Sequence, residues 1–411
     1  MINEKIQQRI RELAEQYRPA YEEVCHEIFL HPEEGLKEFF AADYITGRLQ
    51  EAGFRITRPA GGLETAFIAE YGEGHPRLAL LAEYDALPGY GPLKDQWGHA
   101  CGHNWIAANT YGTAMIMKEL LDEGLVSGTI CYVGCPAEET IGGKVNLAEA
   151  GCFDDMDAAV QIHIGSGSGA YVGGHALALN GIEVTYHGVS SHAAGAPERG
   201  VNALDAAYLT FDGVNALRQH VTPDVRMHGV IINGGLAPNV VPALAVSRWE
   251  VRAAERATVD ELERKFLNIV QGACLMTGAT SEWKYFENKF DNCVNIAELN
   301  ELFGQGFAFA GEAEIHTEPR GGSGSTDVGN VSMVCPTAFS HLGVGNTDGS
   351  GAHQEEFLPH CDGPEAYAAL SRAVLAQTYF CAGIAADQDL QARLSECKQK
   401  LPHWQKTEQP Q

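Results

Sequence analysis

Three apolar runs in the first half of the chain are each followed by polar residues. The runs lie in RLALLAEYDALPG (77–89), GTICYVGCPAEE (128–139) and DAAVQIHIG (157–165). Their apolar and β-branched residues are typical of buried strands, and a helix-like stretch over 104–123 separates the first two. Strands that alternate with helices predict an α/β domain with a doubly wound, mostly parallel sheet. In such sheets the functional crevice lies beyond the carboxyl ends of the strands, where these polar residues fall.

The pattern changes in the middle of the chain. Strand-like segments at 175–188, 227–234, 244–254 and 280–288 accompany helical segments at 200–221 and 258–278, and Thr258 is the expected N-cap of the second helix. The order β-α-β-β-α-β is that of a ferredoxin-like α+β fold. A chain of 411 residues is also longer than one that usually folds around a single hydrophobic core. We therefore predict an inserted domain over 178–290, and a larger domain formed by 1–177 together with 291–411.

Charge and composition narrow the classes of function. A formal net charge of −26 disfavours nucleic acid as a partner, because phosphates would be repelled. The chain has no apolar run of about 18 residues, and its charged N-terminus lacks the apolar centre of a signal peptide. Eleven cysteines, many of them inside apolar runs, indicate buried thiols in a reducing compartment. We expect a cytoplasmic protein without a membrane partner, and a frayed tail at WQKTEQPQ (404–411).

Two short motifs carry candidate metal chemistry. In GHACGHN (98–104), Cys101 and His103 lie on a glycine-punctuated loop that enters a helix. Thiolate and imidazole suit zinc, and imidazole with carboxylates also suits manganese, although a buried cysteine beside a surface histidine would explain this segment equally well. In PAEE (136–139), the carboxylates of Glu138 and Glu139 repel each other unless a cation or a proton intervenes. Either the loop is a solvated acidic one, or one carboxylate binds metal while the other acts as general base.

Further candidates depend on their place at the predicted strand ends. His163 ends the third apolar run, Asp85 follows the first and could orient a ligand imidazole, and His353 lies in a glycine-rich loop of the same predicted domain. A lone histidine is more often a packing or surface residue. The loop GSGSTDVGN (322–330) lacks the GK[ST] ending of a phosphate-binding loop. Neither a G-x-S-x-G nucleophile motif after a strand nor the paired H-x-E and P-C-x-x-C motifs of deaminases are found.

The chain resembles peptidase family M20, the dinuclear metallopeptidases that include aminoacylase, carboxypeptidase G and the N-acyl-amino-acid amidohydrolases of bacteria and plants. The matching segments are HPEEGLKE (31–38), LAEYDALPG (81–89), GHACGHN, PAEE, IHIG (162–165), SSHAAGAPERGVNALDA (190–206), GGLAPNVVP (234–242), GSTDVGN (324–330) and AHQEEF (352–357). LAEYDALPG together with GSTDVGNVS is most similar to the aminobenzoyl-glutamate hydrolase and dipeptidase branch. The resemblance implies hydrolysis of the amide bond of an N-acyl amino acid or a dipeptide-like substrate with a free carboxylate. The alternatives are a dipeptidase for Lys- or Arg-ended dipeptides and a non-catalytic binding protein on the same fold.

The resemblance also implies a role for individual residues. The ligands of two divalent ions, zinc or manganese, would be Cys101, His103, Glu139, His163 and His353. Glu138 would be the general base and later the proton donor to the leaving amine, and Asp85 would orient a ligand. The inserted domain would be a lid that forms a homodimer, across which His192 would reach to steady the oxyanion. Asn239 and Arg252 would face the substrate, with Arg252 either gripping a carboxylate or forming a surface ion pair.

Three features depart from the pattern of the family. Asn104 stands where the acylase branch usually has Asp, and Glu83 stands where other branches have His or Asp as a ligand. Both leave the coordination of the second metal open. The insertion-like YGPLKDQW (90–97) is expected to reshape the entrance of the pocket. The sequence therefore predicts a reaction class but leaves the acyl group, the amino acid and the native metal open.

Overall fold

The computed structural model describes residues 2–91, 96–317 and 324–402. The tail predicted to fray lies outside the described residues, and so does the middle of the 90–97 segment. The described chain forms two compact units. The first contains the described residues up to 175 together with 293–317 and 327–402, and the second contains 176–292 with 324–326. The boundaries therefore fall at 175/176 and 292/293, where the sequence suggested 177/178 and 290/291, and the short piece 324–326 was not expected in the second unit.

The helices and strands that the sequence predicted occur in the predicted order, and the described residues form further elements besides. The helices are α1 (Glu4–Leu30), α2 (Phe39–Glu51), α3 (His103–Asp122), α4 (Gly143–Glu149), α5 (Ala203–Leu217), α6 (Arg256–Thr277), α7 (Ala297–Phe309), α8 (Val328–Ser332), α9 (Pro364–Ala386) and α10 (Gln388–Lys398). The strands are β1 (Arg55–Thr57), β2 (Phe67–Glu73), β3 (Arg77–Glu83), β4 (Leu87–Pro88), β5 (Trp97–Gly98), β6 (Gly128–Cys135), β7 (Ala158–Gly165), β8 (Ala170–Val172), β9 (Ala178–His187), β10 (Arg226–Asn233), β11 (Leu244–Ala253), β12 (Thr280–Tyr285), β13 (Ile315–His316) and β14 (Thr337–Gly343). Among the described helices, none combines the length and apolar character needed to cross a membrane.

The first unit is built on a sheet with the strand order β1-β2-β6-β3-β7-β14-β8-β13. Strands β6, β3, β7 and β14 in its centre are parallel, whereas β2 joins β6, and β8 joins β14, in antiparallel fashion. Every residue of β6 is buried, as expected for a strand that is covered on both faces. Helices α1, α3 and α9 share a core with one face, and α4 and α8 share a core with the other. The predicted doubly wound, mostly parallel α/β architecture is confirmed.

The carboxyl ends of the central strands meet at one edge of this sheet. The three apolar runs of the sequence form β3, β6 and β7, and α3 lies between the first two along the chain. Glu83, the last residue of β3, pairs in register with Cys135, the last residue of β6. His163 of β7 pairs in register with His341 of β14. Polar residues that follow or end these strands are therefore brought to a common edge.

The second unit contains an antiparallel sheet of order β10-β11-β9-β12, against which α5 and α6 pack through a core that includes Trp249 and Phe266. Its β-α-β-β-α-β order is the ferredoxin-like one that the sequence predicted. The prediction of Thr258 as N-cap is wrong, because α6 already begins at Arg256. The side chain of Asn292 accepts a hydrogen bond from the Arg256 amide at 2.9 Å, so an amide at the helix start is satisfied without a capping threonine.

Candidate metal centre

The turn before α3 presents two of the candidate ligands. Gly102 has a φ of 75° and is the N-cap of α3, so that His103 is the first helical residue. A Cβ atom at Gly102 would lie 2.4 Å from Cγ2 of Ile164, a buried residue of β7. Only glycine fits both this left-handed backbone and this close approach. The turn therefore fixes Cys101 and His103 against the end of β7, which carries His163.

A second turn presents the paired glutamates. Ala137 adopts a φ of 61°, which is uncommon for a residue with a side chain. Its amide donates a 2.7 Å hydrogen bond to Oε1 of Glu38, and Thr65 donates to the other oxygen of the same carboxyl group at 2.8 Å. Burial, followed by the charge of Asp85, raises the pKa of Glu38 to about 7. Glu38 thus anchors the loop that carries Glu138 and Glu139, a role that sequence reasoning missed although the residue ends the HPEEGLKE segment.

The five predicted ligands converge at the edge of the sheet. Donor atoms of Cys101, His103 and His163 lie within 4.8 Å of one another, and so do those of Cys101, Glu139 and His353. Cys101 Sγ is 3.6 Å from His163 Nε2, and Glu139 Oε1 is 3.0 Å from His353 Nε2. His353 has a φ of 65°, and its amide donates to the carbonyl of Ala100 at 3.0 Å, which holds its loop beside Cys101. Two donor sets, one of sulfur and nitrogen and the other of sulfur, oxygen and nitrogen, therefore share one cysteine.

Unpaired buried atoms point into this cluster. His103 Nε2 and Glu83 Oε2 are both buried, lie 3.4 Å apart and have no hydrogen-bond partner within the described chain. Asp85 orients the imidazole ring of His103, because Asp85 Oδ1 is 2.7 Å from His103 Nδ1. Its other oxygen accepts a hydrogen bond from the Glu139 amide at 2.9 Å. A buried polar atom without a partner is costly, and a cation between these donors would satisfy them. The residues present therefore fit a metal ion.

The electrostatics of the cluster also favour a cation. Burial raises the pKa of the Cys101 thiol well above its ordinary value, and the charge of Glu139 adds to this shift. Burial alone would lower the pKa of His103, but Asp85, Cys101 and Glu83 raise it well above the usual range. In the protein alone, then, the thiolate is disfavoured and the imidazole retains its proton. A bound cation reverses both preferences, because it stabilises thiolate and competes with the proton for imidazole nitrogen.

The two single residues that depart from the family pattern, Asn104 and Glu83, have different surroundings. The side-chain amide of Asn104 donates to the carbonyls of Cys25 and Cys361 at 3.1 Å and 2.9 Å, so this residue joins segments of the core instead of the cluster. Glu83 does face the cluster with Oε2, while its Oε1 accepts hydrogen bonds from Lys144 and Gln161. Lys144 is fully buried, which the sequence did not reveal because lysine on a helix normally lies in water.

The remaining predicted residues belong to the second unit. The segments of His192 and Asn239 are adjacent, since Ala193 donates to the Asn239 carbonyl at 3.0 Å and His192 pairs with Val240 in an isolated bridge. Both side chains are exposed. Arg252 is already paired, because its Nε donates to Glu250 Oε2 at 3.0 Å and its Nη1 is 3.4 Å from Ser325 Oγ. Arg252 therefore forms an ion pair with Glu250 on its own strand, and its contact with a substrate stays a prediction.

The chain combines an α/β domain, which carries cysteine, histidine and glutamate donors at its strand ends, with an inserted ferredoxin-like domain. This combination is typical of a class of metallohydrolases. The model of peptidase family M20/M25/M40 matches residues 79–376, and the chain belongs to this family. It is 35% identical over 328 residues to one of the p-aminobenzoyl-glutamate hydrolase subunits of Escherichia coli K12, a match that spans 77% of this chain and 67% of the relative. It is 32% identical over 361 residues to the human Xaa-Arg dipeptidase, a match that spans 80% of each chain. The protein is therefore a hydrolase of this family.

Solved structures share the fold. An aminobenzoyl-glutamate utilization protein from Klebsiella pneumoniae superposes with a TM-score of 0.71 at 21% identity, covering 90% of this chain and 98% of that one. A Bacillus subtilis protein described as a dinuclear metal binding peptidase of the M20 family gives a TM-score of 0.68 at 21% identity, covering 90% and 99%. At this identity the likeness supports the architecture, and the residue roles must be argued from this chain.

Proposed function

We propose that this protein is a metal-dependent amidohydrolase that cleaves the amide bond of an N-acyl amino acid or dipeptide-like substrate with a free carboxylate. The observation that carries the proposal is the convergence of Cys101, His103, His163, Glu139 and His353 around buried atoms that have no hydrogen-bond partner among the described residues. Two divalent ions per protein chain would be held by the two donor sets, which share Cys101. Zinc and manganese both fit a mixture of thiolate, imidazole and carboxylate. When bound, such ions polarise the amide carbonyl and acidify water.

The proton transfers are assigned to Glu138. One of its carboxylate oxygens lies within 4.8 Å of donor atoms of His103 and Glu139, so it borders the proposed ligands without being needed in either set. Burial, followed by the charges of Glu83 and Glu139, raises the pKa of Glu138 well above its ordinary value. A carboxylate with a raised pKa is a better base towards the attacking water. Glu138 then returns the same proton to the leaving nitrogen, while Asp85 keeps His103 in the tautomer that presents Nε2.

The second unit is proposed as a lid and as the dimer contact. His192 and Asn239 lie on neighbouring exposed segments, where their imidazole and amide groups are accessible to a substrate. His192 would donate to the oxyanion in the site of the partner, and Arg252 would contact the substrate carboxylate.

The proposed dimer contact is the edge strand β10. It exposes Val230 and Ile232, whose accessible fractions are 56% and 49%. An exposed apolar edge strand is a ready site for pairing with a second copy.

A dipeptidase for Lys- or Arg-ended dipeptides is the second candidate, and one observation favours it. Arg252 is neutralised by Glu250, while Oε1 of Glu287 is buried without a hydrogen-bond partner among the described residues. This neighbourhood therefore offers a carboxyl group to a basic side chain, whereas a substrate carboxylate would have to compete with Glu250 for Arg252. Rates on aminobenzoyl-glutamate, on acylated neutral amino acids and on Lys- or Arg-ended dipeptides separate the two substrate classes. Preference for the glutamate compound would reject the dipeptidase.

Replacing the general base tests the reaction mechanism. Glu138→Gln keeps the size of the side chain but removes the basic carboxylate, so we expect kcat to fall by about 10²–10⁴-fold. Metal content, measured on protein purified without chelator, should remain that of the wild type. Glu73→Gln is the matched control, because Glu73 is exposed and pairs with Gly128 at the start of β6, away from the strand ends that carry the site. Near wild-type turnover by Glu138→Gln, or wild-type protein without bound metal, would reject the proposal.

A cytoplasmic location is part of the same proposal. No disulfide joins any of the eleven cysteines, all of which lie in the described residues, and eight of them are buried. Chains that work in oxidising compartments usually pair such thiols as disulfides.

A further inference from the structure

Lys144 is a fully buried cation among carboxylates. It is the second residue of α4, directly after the loop that carries Glu138 and Glu139. Its Nζ donates to Glu83 Oε1 and, at 2.6 Å, to Asp327 Oδ1. Its amide donates to the other oxygen of Asp327 at 2.8 Å. The ammonium group therefore joins the end of β3, the start of α4 and the residue that precedes α8.

The carboxylates around Lys144 form a set that could hold a metal ion. Oxygen atoms of Glu83, Glu138 and Asp327 lie within 4.8 Å of one another. Divalent ions such as manganese and magnesium bind groups of this kind, and buried carboxylates so close together repel each other unless a positive charge is present. Lys144 already supplies one positive charge through two charge-assisted hydrogen bonds. Such bonds offset part of the cost of burying the ammonium group.

We propose that the Lys144 ammonium takes the place of a divalent ion in the Glu83–Glu138–Asp327 set, so that these three carboxylates together hold no metal ion. The inference rests on the proposed function in one respect, namely that Glu138 must stay free of metal to carry protons. A covalently attached cation achieves this separation permanently, since it cannot exchange with ions in solution. It also gives a role to Asp327 in the GSTDVGN segment, which sequence analysis left without one.

Metal stoichiometry tests the inference independently of catalysis. Wild type and Lys144→Met are stripped with chelator and titrated with Mn²⁺ under equilibrium dialysis. We expect Lys144→Met to bind one more ion per chain than wild type, because the carboxylate set loses its fixed cation. Lys118→Met is the matched control, since Lys118 lies on α3 and pairs with Asp122 at 2.6 Å outside this set, and it should bind as many ions as wild type. Lys144→Arg, which keeps the positive charge, should also match wild type.

Each outcome decides the question. A folded Lys144→Met protein that binds no more ions than wild type overturns the inference, whereas wild type that binds no ion at all overturns the proposed function instead. If Lys144→Met does not fold in the absence of ions, Mn²⁺ in the refolding buffer should restore its structure by replacing the lost charge. Failure of Mn²⁺ to restore a protein that Lys144→Arg leaves intact would also overturn the inference.

Discussion

Neighbouring carboxyl groups of this protein differ in proton affinity because their surroundings differ. Burial would raise the pKa of Glu139, yet a hydrogen bond from His353 and the charge of His103 lower it below the ordinary value. For Glu138, the adjacent residue, burial and the charge of Glu83 both raise the pKa. One glutamate is thus held as an anion and the other retains its proton more strongly. This difference supports giving metal binding to Glu139 and proton transfer to Glu138, a division that PAEE alone left open.

Glu287, in the second unit, provides a test of proton linkage. Burial, followed by the charge of Glu250, raises its pKa from 4.5 to about 7. The folded protein therefore binds this proton more tightly than the unfolded chain, and its contribution to stability is full below about pH 4.5 and is lost as the pH rises through about 7. Relative to Glu287→Gln, which does not titrate, the wild-type free energy of unfolding should fall by up to about 3 kcal/mol from pH 4.5 to pH 8. Parallel stability profiles for the two proteins would contradict this assignment.

At the level of elements, the sequence predicts the strands and turns that local residue patterns determine. The apolar runs identify β3, β6 and β7, and the turn residues place Cys101, His103 and Glu139 at their ends. Contacts between distant segments leave no such pattern. Glu38 anchors the PAEE loop from 99 residues away, and Lys144 meets Asp327 across 183 residues. A buried lysine and a solvent-exposed lysine on a helix are identical in the sequence, so only the folded structure distinguishes them.

The turn at Gly102 links backbone conformation to the metal centre. Gly102→Ala adds a Cβ atom both to a left-handed conformation and against Ile164, so we expect it to lower the free energy of unfolding by about 2–5 kcal/mol and to weaken metal binding. Gly62→Ala is the control, because Gly62 has a similar φ of 76° and no atom within 4 Å of the added Cβ. It should lose only about 1–2 kcal/mol and retain metal. Chemical denaturation and metal analysis distinguish the two variants, and equal losses would show that the contact with Ile164 is unimportant.

At the scale of the whole molecule, the proposed assembly depends on an exposed edge. Strand β10 ends the sheet of the second unit, and charged side chains on such strands oppose edge-to-edge pairing. Val230→Lys should therefore raise the dissociation constant of the dimer about tenfold or more, and activity should fall with the fraction of dimer if His192 acts in the site of the partner. Leu30→Lys, at an exposed apolar position of the first unit, is the control. Light scattering would contradict the proposal if wild type were monomeric or if Val230→Lys remained fully dimeric.

The position of β14 has a consequence for the order in which the chain acquires its structure during synthesis. This strand inserts between β7 and β8, although 171 residues separate the end of β7 at Gly165 from its own start at Thr337. The ribosome therefore releases the entire β9–β12 region before the second neighbour of β7 exists, since its other neighbour, β3, precedes it in the chain. The second unit can complete its sheet on the nascent chain, whereas the first must wait for a strand near its carboxyl terminus. His353 emerges later still, so the proposed set of metal ligands is complete only after β14 has been synthesised.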